Sequence, residues 1–188
     1  MTLANQITLS RIVLAFFLFL FTWMPHFWSH LLALAVFVVA SFTDWVDGLI
    51  ARKTGTISSF GAIADPIADK ILVAGALMAF GVVPGLGIPL WAVFGILVPE
   101  FLVQGLRVLA ALQKKVLAAQ HWGKWKMGIQ SVCVLFILLV LNLKAVWKSY
   151  PVFLHELPYY LTLLMLLVTW ASGVFYLYRY RQILKQSW

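Results

Sequence analysis

Acidic residues are what this chain lacks most. Its 188 residues include six Asp or Glu against fourteen Lys or Arg, and only 11% of positions are charged. Soluble domains carry about 25% charged and about 45–50% apolar residues; here 63% are hydrophobic and the mean hydropathy is +0.96. That balance excludes an ordinary soluble domain and predicts an integral membrane protein. Cysteine is nearly absent. Cys133 stands alone inside an apolar run, so no disulfide can form within the chain, and the thiol is expected to pack as a small apolar side chain. No Gly/Ser-rich or Pro-rich linker, internal repeat or low-complexity tract divides the sequence, which predicts one domain over residues 1–188. The first apolar run leads to aromatic residues rather than to a small-residue cleavage site, so it is expected to be retained. The net charge of +8 comes from few acids rather than many bases. The bases flank apolar runs instead of forming a stripe, which argues against nucleic acid and for membrane lipid headgroups or phosphorylated substrates.

What is present is a series of six apolar segments, roughly Ile12–Trp28, Leu31–Ile50, Ile63–Val83, Ile88–Leu112, Ile129–Val146 and Leu157–Tyr178. Each approaches the ~20 residues a helix needs to cross a bilayer. Continuous apolar runs without alternation disfavour a barrel. The expected fold is therefore all-α, with six transmembrane helices and an amphipathic N-terminal segment. An even number of spans puts both termini on one side, with Arg11, Arg52, Lys53, Lys114, Lys115, Lys124, Lys126, Arg179, Arg181 and Lys185; Lys144 and Lys148 fall on the other. The excess of basic residues places the first side in the cytoplasm. Trp23, Trp28, Trp147, Tyr150, Tyr159 and Tyr160 lie near predicted span ends, as interfacial anchors do.

Four of the few acids fall in one stretch, DWVDGLIARKTGTISSFGAIADPIAD, as Asp44, Asp47, Asp65 and Asp69. On a helix turning about 100° per residue, Asp44, Asp47, Gly48, Ala51 and Arg52 share one broad face. Asp65 and Asp69, four residues apart, share a face of the next span, and the intervening TGTISSFG is short enough to bring the two faces together. An Asp at the centre of a membrane helix costs about 2.5–3.5 kcal/mol on insertion scales, and like charges add to that. Divalent cations resolve the conflict. An all-oxygen donor set suits Mg2+, Mn2+ or Ca2+, and no His or Cys in the stretch suggests zinc. Two ions about 3.5–4 Å apart would satisfy four carboxylates and form a template for phosphoryl transfer. Gly48, Ala51 and Gly61 leave a groove for a bulky phosphate or sugar, and Arg52 can neutralise a phosphate oxygen. Asp65-Pro66 reads either as a helix start or as a proline inside a helix that begins earlier.

Asp44-x-x-Asp47-Gly48-x-x-Ala51-Arg52, eight residues, then Gly61-x-x-x-Asp65-x-x-x-Asp69 resembles the defining motif of the CDP-alcohol phosphatidyltransferases at every fixed position. NQITLSRI, DPIADKIL, EFLVQGLRVLAA and GKWK are similar to the bacterial phosphatidylglycerophosphate synthase branch. Two positions depart from that branch: Pro99 where Arg is expected, and Met127 where Thr is usual. The resemblance implies transfer of a phosphatidyl group from CDP-diacylglycerol to glycerol 3-phosphate with release of CMP. It implies two divalent cations, Mg2+ or Mn2+, held by Asp44, Asp47, Asp65 and Asp69, with Asp69 also the general base on the acceptor hydroxyl. It places Gly48, Ala51, Arg52 and Gly61 against the CDP moiety, and it implies a homodimer in a bacterial inner membrane.

Outside the motif, Asn5, Thr8 and Arg11 fall within one polar face. They form either an amphipathic entry segment with a snorkelling Arg or a face turned towards the site, where Asn5 and Thr8 would join the CDP-binding set. An anionic acceptor needs cations, and Arg107, Lys124 and Lys126 are placed to supply them; positive-inside anchoring is the alternative. Glu100, seven residues before Arg107, is expected to orient a cation. Pro99 is expected to kink the fourth span and removes a phosphate ligand. Another acceptor (inositol phosphate, serine, or phosphatidylglycerol as in a cardiolipin synthase) is the nearest alternative function. A cation or proton transporter is more distant, because the acids crowd one end and no repeated halves are seen.

Overall fold

A computed structural model describes the backbone over residues 3–54, 59–112, 121–147 and 151–181. Within these, it describes the side chains except at 3–8, 44–54, 59–66, 69, 109, 111–112, 121–122 and 124. Six helices account for nearly all of it: α1 Leu3–Trp23, α2 Phe27–Thr54, α3 Ser59–Val82, α4 Leu90–Leu112, α5 His121–Val146 and α6 Val152–Arg179.

Several boundaries differ from those expected. The first apolar run breaks at Pro25, whose ring cannot continue a helix, so α1 stops at Trp23 and Phe27 and Trp28 open α2. The polar start of the chain is continuous with α1 rather than a separate element. Helix α3 begins at Ser59, so Gly61, Asp65 and Pro66 all lie inside it. Helix α5 is described from His121, eight residues before the apolar run, which makes Lys124 and Lys126 helical rather than part of a loop. Among the described residues, Leu90–Val108, Trp125–Val146 and Val152–Arg179 are long and apolar enough to cross a membrane. Leu9–Trp23, Phe27–Thr43 and Lys70–Val82 are shorter apolar helices.

The packed pairs form a ring in the order α1, α3, α4, α6, α5, α2, with α3 also reaching α5 across it. Leu18, Leu77, Phe80, Ile96, Ile137, Leu138 and Met165 are fully buried at its centre. Large apolar side chains such as Phe16, Phe42, Phe94 and Leu167 face outward, as lipid contact requires. The tightest approach joins α1 to α3, where a Cβ on Gly75 would lie 3.2 Å from the Ala15 carbonyl oxygen.

Polar contacts define one end. Lys144 Nζ donates to the Gly85 carbonyl at 2.7 Å, and Asn142 Nδ2 donates to the His30 carbonyl at 3.0 Å. In the α3–α4 turn, Gly85 (φ 85°) and Gly87 (φ 66°) adopt backbone conformations that L side chains rarely take. Between them Leu86 is fully buried and plugs this end of the core. Because the helices alternate in direction, the late turns of α2, α4 and α6 and the early turns of α1, α3 and α5 meet at the opposite end.

Candidate active site

A cavity of about 310 Å³ opens at that opposite end, and every helix contributes to its wall. Four basic side chains line it: Arg11 from α1, Lys70 from α3, Arg107 from α4 and Lys126 from α5. Glu100 of α4 is the one acid among its described lining residues. Leu77 and Ile96 close the cavity towards the core, and Ser41, Ser131 and Ser172 add hydroxyls.

Glu100 organises the lysines. Its Oε1 lies 2.7 Å from Lys126 Nζ and its Oε2 lies 3.3 Å from Lys70 Nζ. Lys70 also donates to the Glu100 carbonyl at 2.8 Å. Gln130 Nε2 donates to the same Oε1 at 2.9 Å and to Thr169 Oγ1 at 3.0 Å, which ties α4, α5 and α6 together. Lys126 is only 7% exposed, so its ammonium needs this carboxylate or an incoming anion. Helical spacing pairs Glu100 with Arg107 on its own helix; the partners found are Lys70 and Lys126 from the neighbouring ones.

Arg107 is held differently. Its guanidinium lies over the ring of Tyr176, 5.5 Å from the centroid, and Nη2 donates to the Tyr176 hydroxyl at 3.4 Å. No acid neutralises Arg107 among the described residues. Arg11 is 3% exposed and lines the cavity, which favours the polar-face reading of the N-terminal segment over a snorkelling Arg. A planar guanidinium fork beside two ammonium groups suits the oxygens of a phosphate.

Of the residues singled out in the sequence, Arg107 and Lys126 thus come together on one cavity. The Asp motif falls in the late part of α2 and the early part of α3, on the same end of the bundle. The side chains of Asp44, Asp47, Gly48, Ala51, Arg52, Gly61, Asp65 and Asp69, and those of Asn5, Thr8 and Lys124, lie outside the described residues. Lys70, beside Asp69 in sequence, has two readings there, snorkelling or pairing across helices, and it takes the second with Glu100; Gln130 and Tyr176 do not stand out in the sequence. Gln130 carries a usable signal, an amide within an apolar span; Tyr176 is one aromatic among many near a span end.

The sequence profile of the CDP-alcohol phosphatidyltransferases matches residues 1–177. The chain belongs to this family. Among curated relatives, a Bacillus subtilis CDP-diacylglycerol–glycerol-3-phosphate 3-phosphatidyltransferase is 37% identical over 164 residues, covering 79% of this chain and 82% of the relative. A probable phosphatidylglycerophosphate synthase of Mycobacterium tuberculosis is 41% identical over 140 residues, covering 72% of this chain and 66% of the relative. A Mycoplasma genitalium protein bearing the same name as the Bacillus one is 34% identical over 154 residues, 79% of this chain and 64% of the relative. The chain therefore spans slightly under two thirds of the last two relatives. The four basic side chains give the cavity the charge to hold a phosphate ester.

Proposed function

We propose that this enzyme transfers the phosphatidyl group of CDP-diacylglycerol to glycerol 3-phosphate, releasing CMP. The observation that carries the acceptor is the convergence of Arg107 and Lys126, with Arg11 and Lys70, on one cavity at the Asp-motif end of the bundle. In this reading the cavity takes the acceptor phosphate, and Lys124, between the lining residues Gly123 and Lys126 in sequence, belongs to the same acceptor set. The relatives' names support the same acceptor.

The donor end is assigned to Asp44, Asp47, Asp65 and Asp69. Two divalent cations, Mg2+ or Mn2+, fit this set. It is all carboxylate, and the described cations nearest to it are engaged elsewhere: Lys70, which follows Asp69 in sequence, is turned to Glu100. When bound, such ions neutralise the donor diphosphate and the charge that grows on departing CMP. Gly48, Ala51 and Gly61 leave room for the CDP moiety, with Arg52, Asn5 and Thr8 beside it. Asp69 accepts the proton of the acceptor hydroxyl as its oxygen attacks the phosphorus that carries diacylglycerol, and the P–O bond to CMP breaks. Arg107 and Lys126 contribute by fixing the acceptor, so that its hydroxyl meets that phosphorus in one orientation.

The same reading takes residues 1–188 as one membrane domain with six spans, an amphipathic start to α1, and the active end in the cytoplasm of a bacterial inner membrane. The clustering of Arg11, Lys70, Arg107 and Lys126 at one end supports this orientation. A homodimer is part of the proposal through the family resemblance.

The test is purified protein supplied with labelled CDP-diacylglycerol, Mg2+ or Mn2+, and one acceptor at a time. CMP release with glycerol 3-phosphate alone is expected. Release only with inositol phosphate, serine or phosphatidylglycerol would reassign the acceptor, and release with none would overturn the substrate pair.

A further inference from the structure

Pro99 sits inside α4, one residue before Glu100. Proline has no N–H, so the carbonyl of Gly95, four residues earlier, loses its intrahelical donor. In an apolar surrounding such an orphan carbonyl is costly. It is not left orphaned here: the Trp170 indole Nε1 of α6 donates to the Gly95 oxygen at 3.0 Å. Two close approaches flank this bond. A Cβ on Gly173 would lie 3.2 Å from Pro99 Cβ, and a Cβ on Gly95 would lie 2.8 Å from Leu166 Cδ1. The residue before Trp170 is Thr169, which receives Gln130 and through it reaches Glu100. Two adjacent residues of α6 therefore brace the turn that presents Glu100, one through the backbone and one through a side-chain relay.

We propose that Trp170 is a positioning residue for the acceptor site: it supplies the hydrogen bond that Pro99 removes, and so holds the α4 turn carrying Glu100 at the angle that presents Lys70 and Lys126 to the cavity. This rests on the reading of that cavity as the acceptor-phosphate site. Trp170 does not line the cavity and acts only through α4. The bond gives this tryptophan, which lies inside α6 rather than at its end, a role beyond lipid contact.

The prediction concerns coupling between two positions. W170F keeps an aromatic ring but removes the donor, leaving the Gly95 carbonyl bare. P99A restores a backbone N–H at position 99, so the helix can satisfy Gly95 itself. Four proteins are compared: the natural chain, W170F, P99A and P99A/W170F. The readouts are the KM for glycerol 3-phosphate, the KM for CDP-diacylglycerol, kcat, and protection of the protein from thermal unfolding by inorganic phosphate.

With Pro99 present, loss of one hydrogen bond is expected to raise the acceptor KM about three- to tenfold and to weaken phosphate protection, leaving the lipid KM within about twofold. In the P99A background, the same substitution should change the acceptor KM by less than about twofold. Equal losses in both backgrounds would overturn the coupling. A fall in melting temperature with an unchanged acceptor KM and unchanged phosphate protection would reduce Trp170 to a structural residue and overturn the positioning role. If none of the four proteins uses glycerol 3-phosphate, the proposed acceptor fails instead. Phosphate protection then decides the inference by itself: weakened by W170F only beside Pro99 it stands, and otherwise it falls.

Discussion

Arg107 and Tyr176 form the one stacked cation pair of the described cavity wall, with the guanidinium 5.5 Å from the ring centroid. Tyr176 is 3% exposed and packs with Val103, Leu106 and Ala110, so the ring is a fixed platform. A cation–π contact contributes about 0.5–2 kcal/mol depending on desolvation. Y176L is therefore expected to raise the acceptor KM about three- to tenfold, and Y176F, which keeps the ring, by less than about threefold. R107A removes the charged ligand itself and should raise the acceptor KM or lower kcat/KM by about 10- to 100-fold. Steady-state kinetics with each substrate varied separately checks all three.

Glu100 joins Lys70 and Lys126, so removing it leaves two ammonium groups facing each other in a poorly solvated wall. E100A is expected to destabilise the protein by about 3 kcal/mol, the low end of the cost of breaking a buried pair. E100Q keeps an acceptor for Lys126 and Gln130 and should cost less. Inorganic phosphate should raise the melting temperature of E100A more than that of the natural chain, because an anion takes over the lost neutralisation. Equal phosphate effects on the two proteins would show that the lysines do not face a common anion site.

Much of this architecture is legible in the sequence. Runs of apolar residues predict six helices because membrane helices are apolar all round, and Arg107 and Lys126 stand out as cations at span ends. The points that differ share a physical cause. A proline can end a helix inside an apolar run, which is why Pro25 moves the first boundary, and a helix can extend past its apolar run into polar residues, as α5 does. Helical spacing pairs Glu100 with Arg107 because it shows only neighbours on the same helix. Two of the groups that Glu100 meets, Lys70 and Gln130, are each 30 residues away in sequence and belong to other helices, and no periodicity reports that. Trp170 is unreadable for the same reason, since its partner is a carbonyl on α4 left bare by a proline.

The carboxylate end yields a separate prediction. D69N should lower kcat by about 100- to 10,000-fold, the usual contribution of a general base, with little change in lipid KM. D44N should mainly raise the concentration of Mg2+ or Mn2+ needed for half-maximal rate. Chelation should abolish turnover, and re-addition of either ion should restore it. Turnover that survives D69N would remove the base assignment, and turnover that survives thorough chelation would remove the metal.

Gly75 sets how closely α1 approaches α3. A Cβ there meets a backbone carbonyl, that of Ala15, at 3.2 Å, and backbone cannot swing aside as a side chain does. G75A is therefore expected to destabilise by about 1 kcal/mol, and G75L by more, up to about 3 kcal/mol. G75L should also weaken acceptor binding, because α1 carries Arg11 into the cavity wall four residues before Ala15. Melting temperature and acceptor KM together distinguish a displaced α1 from simple overpacking, which would move only the first.

The buried Leu86 and the Lys144 bond to Gly85 close the end of the bundle remote from the cavity. Leu77 and Ile96 separate the cavity from that closed end. On the proposed reading, the acceptor phosphate therefore enters from the end of the bundle that carries the Asp motif.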